Sequence, residues 1–356
     1  MSANEKVLVV LLRIGGTLLA TAFLAVFLPG GTMASIHEAL GLVQSGAMED
    51  DGFNQLILRA GLRAREVTIL RAYCKYLRQA GIPFSQEYME ETLGRNPEIV
   101  RWIIELFERR FDPARSADRE AEAAEIEARI ESALEAVTNL DEDRILRAFH
   151  ILVNATLRTT HYQHDEPGES KSYLAFKLDS QAIPTLPLPR PLCECFGYSP
   201  RVEAVHLRGG RVARGGIRWS DRREDFRTEV LGLMKAQMVK NTVIVPVGSK
   251  GGFVVKRPPE DPSEMQTEVI ACYRTLMSGL LDLTDNLDGA EVLPPTSVVR
   301  RDANDPYLVV AADKGTATFS DIANEVSVGY EFWLDDAFAS GGSAGYDHKK
   351  MGITAR

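Results

Sequence analysis

The amino-acid sequence predicts an α/β fold in which a largely parallel sheet is flanked by helices and preceded by an all-α region. Residues 35–165 repeat apolar side chains at spacings of three and four, which is typical of helices, whereas residues 166–356 alternate short apolar runs with helical segments. Residues 1–34 form an apolar segment that follows neither pattern. The chain is therefore expected to contain an N-terminal segment, a helical region and an α/β domain.

The N-terminal segment contains an almost wholly apolar run, residues 7–28, about as long as a membrane-spanning helix. Arg13 and the pair Gly15 and Gly16 interrupt the run, and no small-residue cleavage site typical of a secretory signal follows it. Two interpretations stay open, a membrane anchor and a spurious start of the reading frame. We expect a cytoplasmic protein, with membrane association through residues 7–28 as the alternative.

Composition and cysteine usage favour the same compartment. Hydrophobic residues make up 45% of the chain and charged residues 26%, proportions that are ordinary for a globular protein. The formal net charge of -9 argues against a nucleic-acid-binding surface. The 4 cysteines are too few and too irregularly spaced for a disulfide framework, which indicates a reducing environment.

The helical region is defined by helix starts and apolar stripes. Ser85 precedes one expected helix, and Pro97 opens another that covers residues 98–111 with a single apolar face. Residues 114–139 predict a long helix with only a narrow apolar stripe. No pattern in this region indicates chemistry.

The α/β domain is expected to contain buried strands separated by helices. Strand patterns occur at residues 173–178, 192–198, 202–207, 242–247 and 307–312, and helical patterns at residues 221–240 and 264–283. A glycine-rich turn, residues 248–252, is expected after the fourth strand. Ligand sites in parallel sheets lie at the carboxyl ends of strands, which is where Lys250 and Asp313 are expected.

Several cations accompany this lysine. Residues 211–256 contain Lys250 together with Arg214, Arg218, Lys235 and Lys240. A lysine that is shielded from water and close to other cations can exchange its proton near neutral pH. The same cations could each bind one carboxylate of a small dicarboxylic acid, so an anionic small molecule is the expected ligand.

Simpler interpretations of the two candidate catalytic residues stay open. Asp313 could cap a helix expected to begin near Phe319, and Lys250 could face solvent or bind an anion from a turn. A nucleotide phosphate loop is disfavoured, because residues 253–256 after the glycines follow a strand pattern rather than a helical one.

A metal site is not expected either. His161 and His164 lie beside a turn, and no third ligand follows at a suitable spacing. A surface loop at the boundary between the helical region and the α/β domain is the expected structure there.

Five motifs follow one another in the second half of the chain. They are Arg214-Gly-Gly-Ile-Arg-Trp, the helix that ends at Lys240, Pro246-Val-Gly-Ser-Lys-Gly-Gly, Ala312-Asp-Lys-Gly and Gly341-Gly-Ser-Ala-Gly. Together they resemble the glutamate dehydrogenases, most closely the large bacterial NAD-specific form, and the resemblance covers the chain from about residue 35 onwards. It implies an oxidoreductase of amino-acid catabolism that converts L-glutamate to 2-oxoglutarate and ammonia with NAD as cofactor.

The resemblance implies catalytic and carboxylate-binding roles. Lys250 would be the lysine that polarises the 2-oxo group and activates water, and Asp313 the aspartate that moves protons to and from ammonia and the iminium intermediate. Lys240, or alternatively Lys235, would bind the α-carboxylate. Arg214 stands where many smaller relatives have a lysine for the side-chain carboxylate, so the charge is kept and the hydrogen-bond geometry changes.

Three more residues are implied to line the site. Gly215 and Gly216 would let the backbone approach the substrate, and Thr354 would lie at the edge of the cleft near the cofactor. No Gly-x-Gly-x-x-Gly follows a strand, so the main NAD-binding domain is expected beyond residue 356.

We therefore expect a fragment in which residues 166–356 form the substrate-binding catalytic domain and supply the substrate half-site, inactive by itself. A catalytically inactive dicarboxylate-binding fragment is the alternative. The full-length protein is expected to be a homo-oligomer.

Overall fold

The computed structural model of the chain describes residues 30–165, 168–240 and 247–343. The chain divides into two compact units, and the division falls between Asn154 and Ala155. The apolar run at residues 7–28 and Thr354 lie outside the described residues. Among the helices that the structure does describe, none is both long enough and apolar enough to cross a membrane.

The first unit is helical. Its α-helices are α1 (Gly30–Gln44), α2 (Leu56–Arg59), α3 (Ala64–Gln79), α4 (Gln86–Arg95), α5 (Pro97–Phe111), α6 (Arg119–Glu135) and α7 (Leu140–Ala155). Ser85 caps α4 by accepting a hydrogen bond from the backbone N–H of Tyr88 at 3.2 Å, and α5 begins at Pro97 as predicted. The narrow apolar stripe of α6 is buried at Ile126, Ile130 and Leu134.

The second unit combines strands and helices, which confirms the predicted α/β class. Its strands are β1 (Thr156–Thr159), β2 (Leu174–Leu178), β3 (Cys193–Tyr198), β4 (Val202–Arg208), β5 (Ala213–Trp219), β6 (Val247–Val255), β7 (Asn286–Asp288), β8 (Glu291–Leu293), β9 (Val309–Ala312) and β10 (Ala339–Ser340). Its α-helices are α8 (Phe226–Lys240), α9 (Met265–Leu281) and α10 (Ser320–Gly329).

Eight of these strands form one sheet in the order β1-β2-β3-β4-β6-β5-β9-β10, and β7 and β8 form a separate hairpin. The predicted parallel pairing is found along β6, β5, β9 and β10. Strands β1 to β4 pair antiparallel with one another, and β4 pairs antiparallel with β6. The parallel half of the sheet carries the candidate catalytic residues.

The glycine-rich segment predicted as a turn is instead the middle of β6. A Cβ atom on Gly248 would lie 2.8 Å from Gln237 Cβ, one on Gly251 would lie 2.5 Å from Ile217 Cδ1, and one on Gly252 would lie 2.7 Å from Val230 Cγ2. The glycines therefore allow β5 and α8 to pack closely against β6. They serve packing within a strand rather than a change of chain direction.

Five strands were not predicted, namely β1, β5, the hairpin of β7 and β8, and β10. β5 contains Gly215 and Gly216 and lacks an alternating apolar pattern, and β1 follows directly after α7. β1 lies inside residues 35–165, the range that the sequence assigned to the helical region. The observed division therefore falls earlier in the chain than the expected one.

Helices cover both faces of the sheet. Gly248 and Gly252 face α8, whereas Phe253, one residue further along β6, packs its ring 6.1 Å from that of Tyr273 on α9. A buried ion pair fixes α8, because the Arg227 guanidinium donates to both carboxylate oxygens of Glu194 on β3, at 2.7 and 2.9 Å. The parallel strands are thus enclosed by helices, and α8 has a fixed position over β6.

Candidate active site

The site is built on three neighbouring strands. β5 lies between β6, which carries Lys250, and β9, which ends just before Asp313. Strands two positions apart are separated by roughly 9 to 10 Å, so the two side chains must reach towards each other across β5. They meet over Gly216, where a Cβ atom would lie 3.1 Å from Lys250 Nζ and 3.0 Å from Asp313 Cβ.

Lys250 and Asp313 form an ion pair that is largely shielded from water. Lys250 Nζ donates to Asp313 Oδ2 at 2.5 Å, and the two side chains are only 12% and 15% exposed. Burial by itself would raise the pKa of Asp313, but the Lys250 hydrogen bond, the backbone N–H of Lys314 and the charges of Lys250 and Arg218 hold that pKa below its ordinary value. The aspartate is therefore a carboxylate at neutral pH.

A tight turn after β9 fixes the aspartate backbone. The backbone N–H of Asp313 donates to Thr316 Oγ1 at 3.1 Å, and the Thr316 hydroxyl donates to the carbonyl oxygen of Ile217 on β5 at 2.6 Å. Gly315 takes a positive φ of 82° in this turn, a conformation that favours glycine. The turn thereby joins the end of β9 to β5.

The two glycines of β5 allow different close approaches. At Gly215 a Cβ atom would lie 1.7 Å from the carbonyl oxygen of Ser249, so no larger residue fits beside β6. At Gly216 the missing side chain opens the space in which Lys250 and Asp313 meet. Both predicted glycines are therefore placed where close packing requires them.

The predicted carboxylate-binding cations are placed less completely. Arg214 is exposed on β5, two residues before Gly216 on the same face of the strand, and its side chain has no hydrogen bond or ion pair with any residue that the structure describes. Lys235 is half-buried on α8 and likewise has no such partner within the described ranges. The side chain of Lys240 and the whole of Thr354 lie outside the described residues.

Arg218 belongs to the site in a way that sequence reasoning missed. It was predicted only as one of several cations near Lys250, whereas its guanidinium contacts Asp313 Oδ1 at 3.3 Å and Glu229 Oε1 at 2.7 Å. The position of Arg218 could have been predicted if residues 213–219 had been recognised as a strand. Residues 214, 216 and 218 then share one face of β5.

The glycines of β6 do not form a nucleotide site. Side chains of Gln237, Ile217 and Val230 occupy the space above Gly248, Gly251 and Gly252, so a pyrophosphate group could not approach these backbone N–H groups. A phosphate loop at this segment is excluded by that packing. The residues of β6 that the structure describes do not fit the dinucleotide part of NAD.

A cavity of about 490 Å³ lies elsewhere in the α/β unit, beside Asp282 and Tyr330. Two charged residues in its lining, Lys171 and Asp282, already form an ion pair with each other at 2.5 Å. Neither Lys250 nor Asp313 lines it. We therefore place the candidate site at Lys250 and Asp313, where glycines, cations and a largely shielded ion pair converge.

Known proteins resemble this chain over most of its length. Residues 129–356 match the family described as bacterial NAD-glutamate dehydrogenase, catalytic domain, and residues 48–113 match glutamate dehydrogenase, helical motif 3. The NAD-specific glutamate dehydrogenase of Halomonas elongata is 59% identical over 321 residues, and that of Mycobacterium tuberculosis is 58% identical over 332 residues. Each match covers 90% of this chain but only 20% of the relative, so the chain spans about a fifth of the length of these proteins.

Proposed function

Because the chain belongs to the bacterial NAD-glutamate dehydrogenase family, we propose that its α/β unit supplies the substrate-binding and proton-transfer half of an NAD-dependent oxidative deamination of L-glutamate. The 2.5 Å contact between Lys250 Nζ and Asp313 Oδ2 is the observation that carries the proposal. It joins a hydrogen-bond donor for the substrate oxygen to a carboxylate that can exchange protons with nitrogen. NAD would accept the hydride, held by parts of the full-length protein other than β6.

Lys250 acts at the oxygen of the substrate. When the substrate enters, the ammonium group turns from Asp313 to the 2-oxo oxygen and stabilises the negative charge that develops there. In the deamination direction Lys250 first releases a proton to solvent, and its neutral amine then accepts one from the water that attacks the iminium carbon. The departing ammonia takes the proton of the resulting hydroxyl group, whose oxygen becomes the 2-oxo oxygen. The glycine at position 216 leaves the space for this movement.

Asp313 acts at the nitrogen. Its carboxylate accepts a proton from the substrate ammonium group before oxidation and returns a proton to the amine that leaves as ammonia. Lys250 and Asp313 thus serve opposite sides of the same carbon.

The two carboxylates of the substrate require separate cations. We assign the side-chain carboxylate to Arg214, which is exposed and has no partner among the described residues, and the α-carboxylate to Lys240 or Lys235. Lys235 lies six residues after Glu229, which places it about 120° round α8 from that residue. Since Glu229 faces the Asp313 network, Lys235 projects from a different side of α8. This disfavours Lys235 and leaves Lys240 as the preferred residue.

Calorimetry on the chain tests substrate binding. We expect Arg214→Ala to weaken 2-oxoglutarate binding by about tenfold or more, because an ionic hydrogen bond is lost. Binding of 2-oxopentanoate, which lacks the second carboxylate, should not change. Arg211→Ala is the matched control, since Arg211 is also exposed and lies three residues before Arg214. Equal losses for both ligands would reject the assignment of Arg214.

Turnover is tested in a full-length protein. This chain replaces the matching part of the Halomonas elongata relative, and glutamate-dependent NADH formation is recorded. We expect Lys250→Ala to lower the rate by about a hundredfold or more. A chimera that binds 2-oxoglutarate but forms no NADH would favour the alternative, a catalytically inactive dicarboxylate-binding fragment.

A further inference from the structure

The two oxygens of the Asp313 carboxylate have different partners. Oδ2 accepts from Lys250 Nζ at 2.5 Å. Oδ1 accepts from the backbone N–H of Lys314 at 2.7 Å and from Arg218 Nη2 at 3.3 Å. Oδ2 therefore faces the Lys250 side chain, and Oδ1 is held by the turn after β9 and by β5.

Arg218 is itself held from behind. Its Nη1 donates to Glu229 Oε1 at 2.7 Å, and the other oxygen of Glu229 accepts from the Ser220 hydroxyl at 2.6 Å. Glu229 lies in the first turn of α8, the helix that the buried pair of Arg227 and Glu194 fixes over the sheet. The chain of contacts from α8 to Asp313 is continuous, and the Arg218 and Glu229 side chains are only 18% and 17% exposed.

We propose that Arg218 is a positioning residue for Asp313, and that Glu229 limits how strongly Arg218 holds the carboxylate. The proposal rests on the function proposed above. When Lys250 turns to the substrate oxygen, Asp313 loses its partner on Oδ2, but Arg218 and the Lys314 N–H still hold Oδ1. Oδ2 is then the oxygen that faces the substrate nitrogen, so Arg218 together with the Lys314 N–H determines which carboxylate oxygen transfers the proton.

The charges around Asp313 predict effects of opposite sign. Lys250 faces it from β6 and Arg218 from β5, while Glu229 on α8 offsets part of the Arg218 charge and Arg222 lies beyond Glu229. Without the Arg218 charge, the pKa of Asp313 should rise. Without the Glu229 charge, the charge of Arg218 acts undiminished, and the pKa of Asp313 should fall.

The first experiment needs no turnover. The carboxyl carbon of Asp313 is titrated by NMR in the isolated chain and identified by its absence in Asp313→Asn. We expect Arg218→Gln to move the titration up by about 1 pH unit, and Glu229→Gln to move it down by less. Arg201→Gln, which breaks the pair between the exposed Arg201 and Glu268 on α9, is the matched control and should move nothing.

The second experiment uses the full-length chimera. We expect Arg218→Gln to lower kcat by about tenfold with little change in KM, because Arg218 touches Asp313 and not the substrate. The acid limb of the pH profile should follow the NMR titration: it should move up in Arg218→Gln and down in Glu229→Gln. Arg218→Lys keeps the charge and should restore part of kcat.

Several outcomes would overturn the proposal. Shifts of the same sign in Arg218→Gln and Glu229→Gln, or no shift in either, would show that Arg218 does not act on Asp313. If Arg218→Gln does not fold, Glu229→Gln alone tests the proposal, and a titration that does not move down in that variant would overturn it. A parent chimera without activity would reject the proposed function alone, because the NMR titration still decides the role of Arg218.

Discussion

Lys250 Nζ and Asp313 Oδ2 lie 2.5 Å apart although 63 residues separate them in the chain and β5 runs between their strands. The contact exists because position 216 on β5 is a glycine, over which the two side chains can meet. A backbone feature of one strand therefore sets the geometry between side chains of two others. Replacing that glycine should disturb the pair without touching either member.

Gly216→Ala is expected to separate Lys250 from Asp313. The added Cβ would lie 2.8 Å from the carbonyl oxygen of Ala312 and 3.1 Å from Lys250 Nζ, closer than ordinary contacts. Overpacking of this kind typically lowers the free energy of unfolding by about 1 to 3 kcal/mol. Denaturant titration measures that loss, and calorimetry should show weaker 2-oxoglutarate binding.

Gly232→Ala is the matched control for that substitution. Gly232 is exposed on α8, and nothing lies within 4 Å of its added Cβ. Alanine is the better helix former, so the free energy of unfolding should rise by about 0.5 to 1 kcal/mol and binding should not change. A Gly216→Ala variant that behaves like this control would contradict the proposed close approach.

The sequence predicted individual members of the site better than their arrangement. Lys250 and Asp313 were predicted as candidates because each follows an apolar strand pattern, a signal that depends only on local residues. β5 was missed because Gly215 and Gly216 have low strand propensity, and its place between β6 and β9 comes from tertiary pairing. Without that strand, neither the role of Gly216 nor the contacts of Arg218 could be predicted.

The fixed position of α8 can be tested through the Arg227 and Glu194 pair, which is 1% and 0% exposed. We expect Arg227→Met to lower the free energy of unfolding by about 3 to 5 kcal/mol, because it leaves a buried carboxylate without its cation. Adding Glu194→Gln should recover much of the loss, since the amide carries no charge and can still bond the Ser180 hydroxyl. Denaturant titration of the two variants gives both values.

A surface pair provides the comparison. Arg274→Met removes the partner of Glu325, and these side chains are 40% and 66% exposed, so solvent screening should leave the unfolding midpoint almost unchanged. If Arg227→Met lowered the free energy of unfolding as little as this control does, the Arg227 and Glu194 pair would not fix α8.

The cysteines offer a probe of native packing. All 4 are free and buried, and burial raises the pKa of both Cys195 and Cys272 to about 12. Thiolate is the reactive form, so a disulfide reagent at pH 8 should react slowly with the native chain. In denaturant all 4 thiols should react at once. A fast-reacting thiol in the native chain would contradict the packing around it.

His206 on β4 should make the α/β unit sensitive to mild acid. It is 1% exposed, neither ring nitrogen has a hydrogen-bond partner among the described residues, and burial together with the nearby Arg208 charge lowers its pKa to about 3. The unfolded chain binds a proton at this histidine below about pH 6.5, whereas the folded chain does not until about pH 3. Stability is therefore lost as the pH falls from about 6.5 towards 3, and at pH 5 the loss should be about 2 kcal/mol relative to pH 7.5.

His206→Leu removes this titrating group and should reduce the dependence, whatever its effect on stability at neutral pH; the part due to His150, whose pKa burial also lowers, should remain. The measurement compares denaturant midpoints at pH 7.5 and pH 5, above the range in which carboxylates with a lowered pKa, such as Asp305 and Asp313, lose their contribution. His164→Gln, at an exposed position, is the control and should leave the dependence as it is in the parent chain. The same acid sensitivity in His206→Leu would mean that another group accounts for it, and that His206 is not neutral and enclosed beside Gly251 as the structure places it.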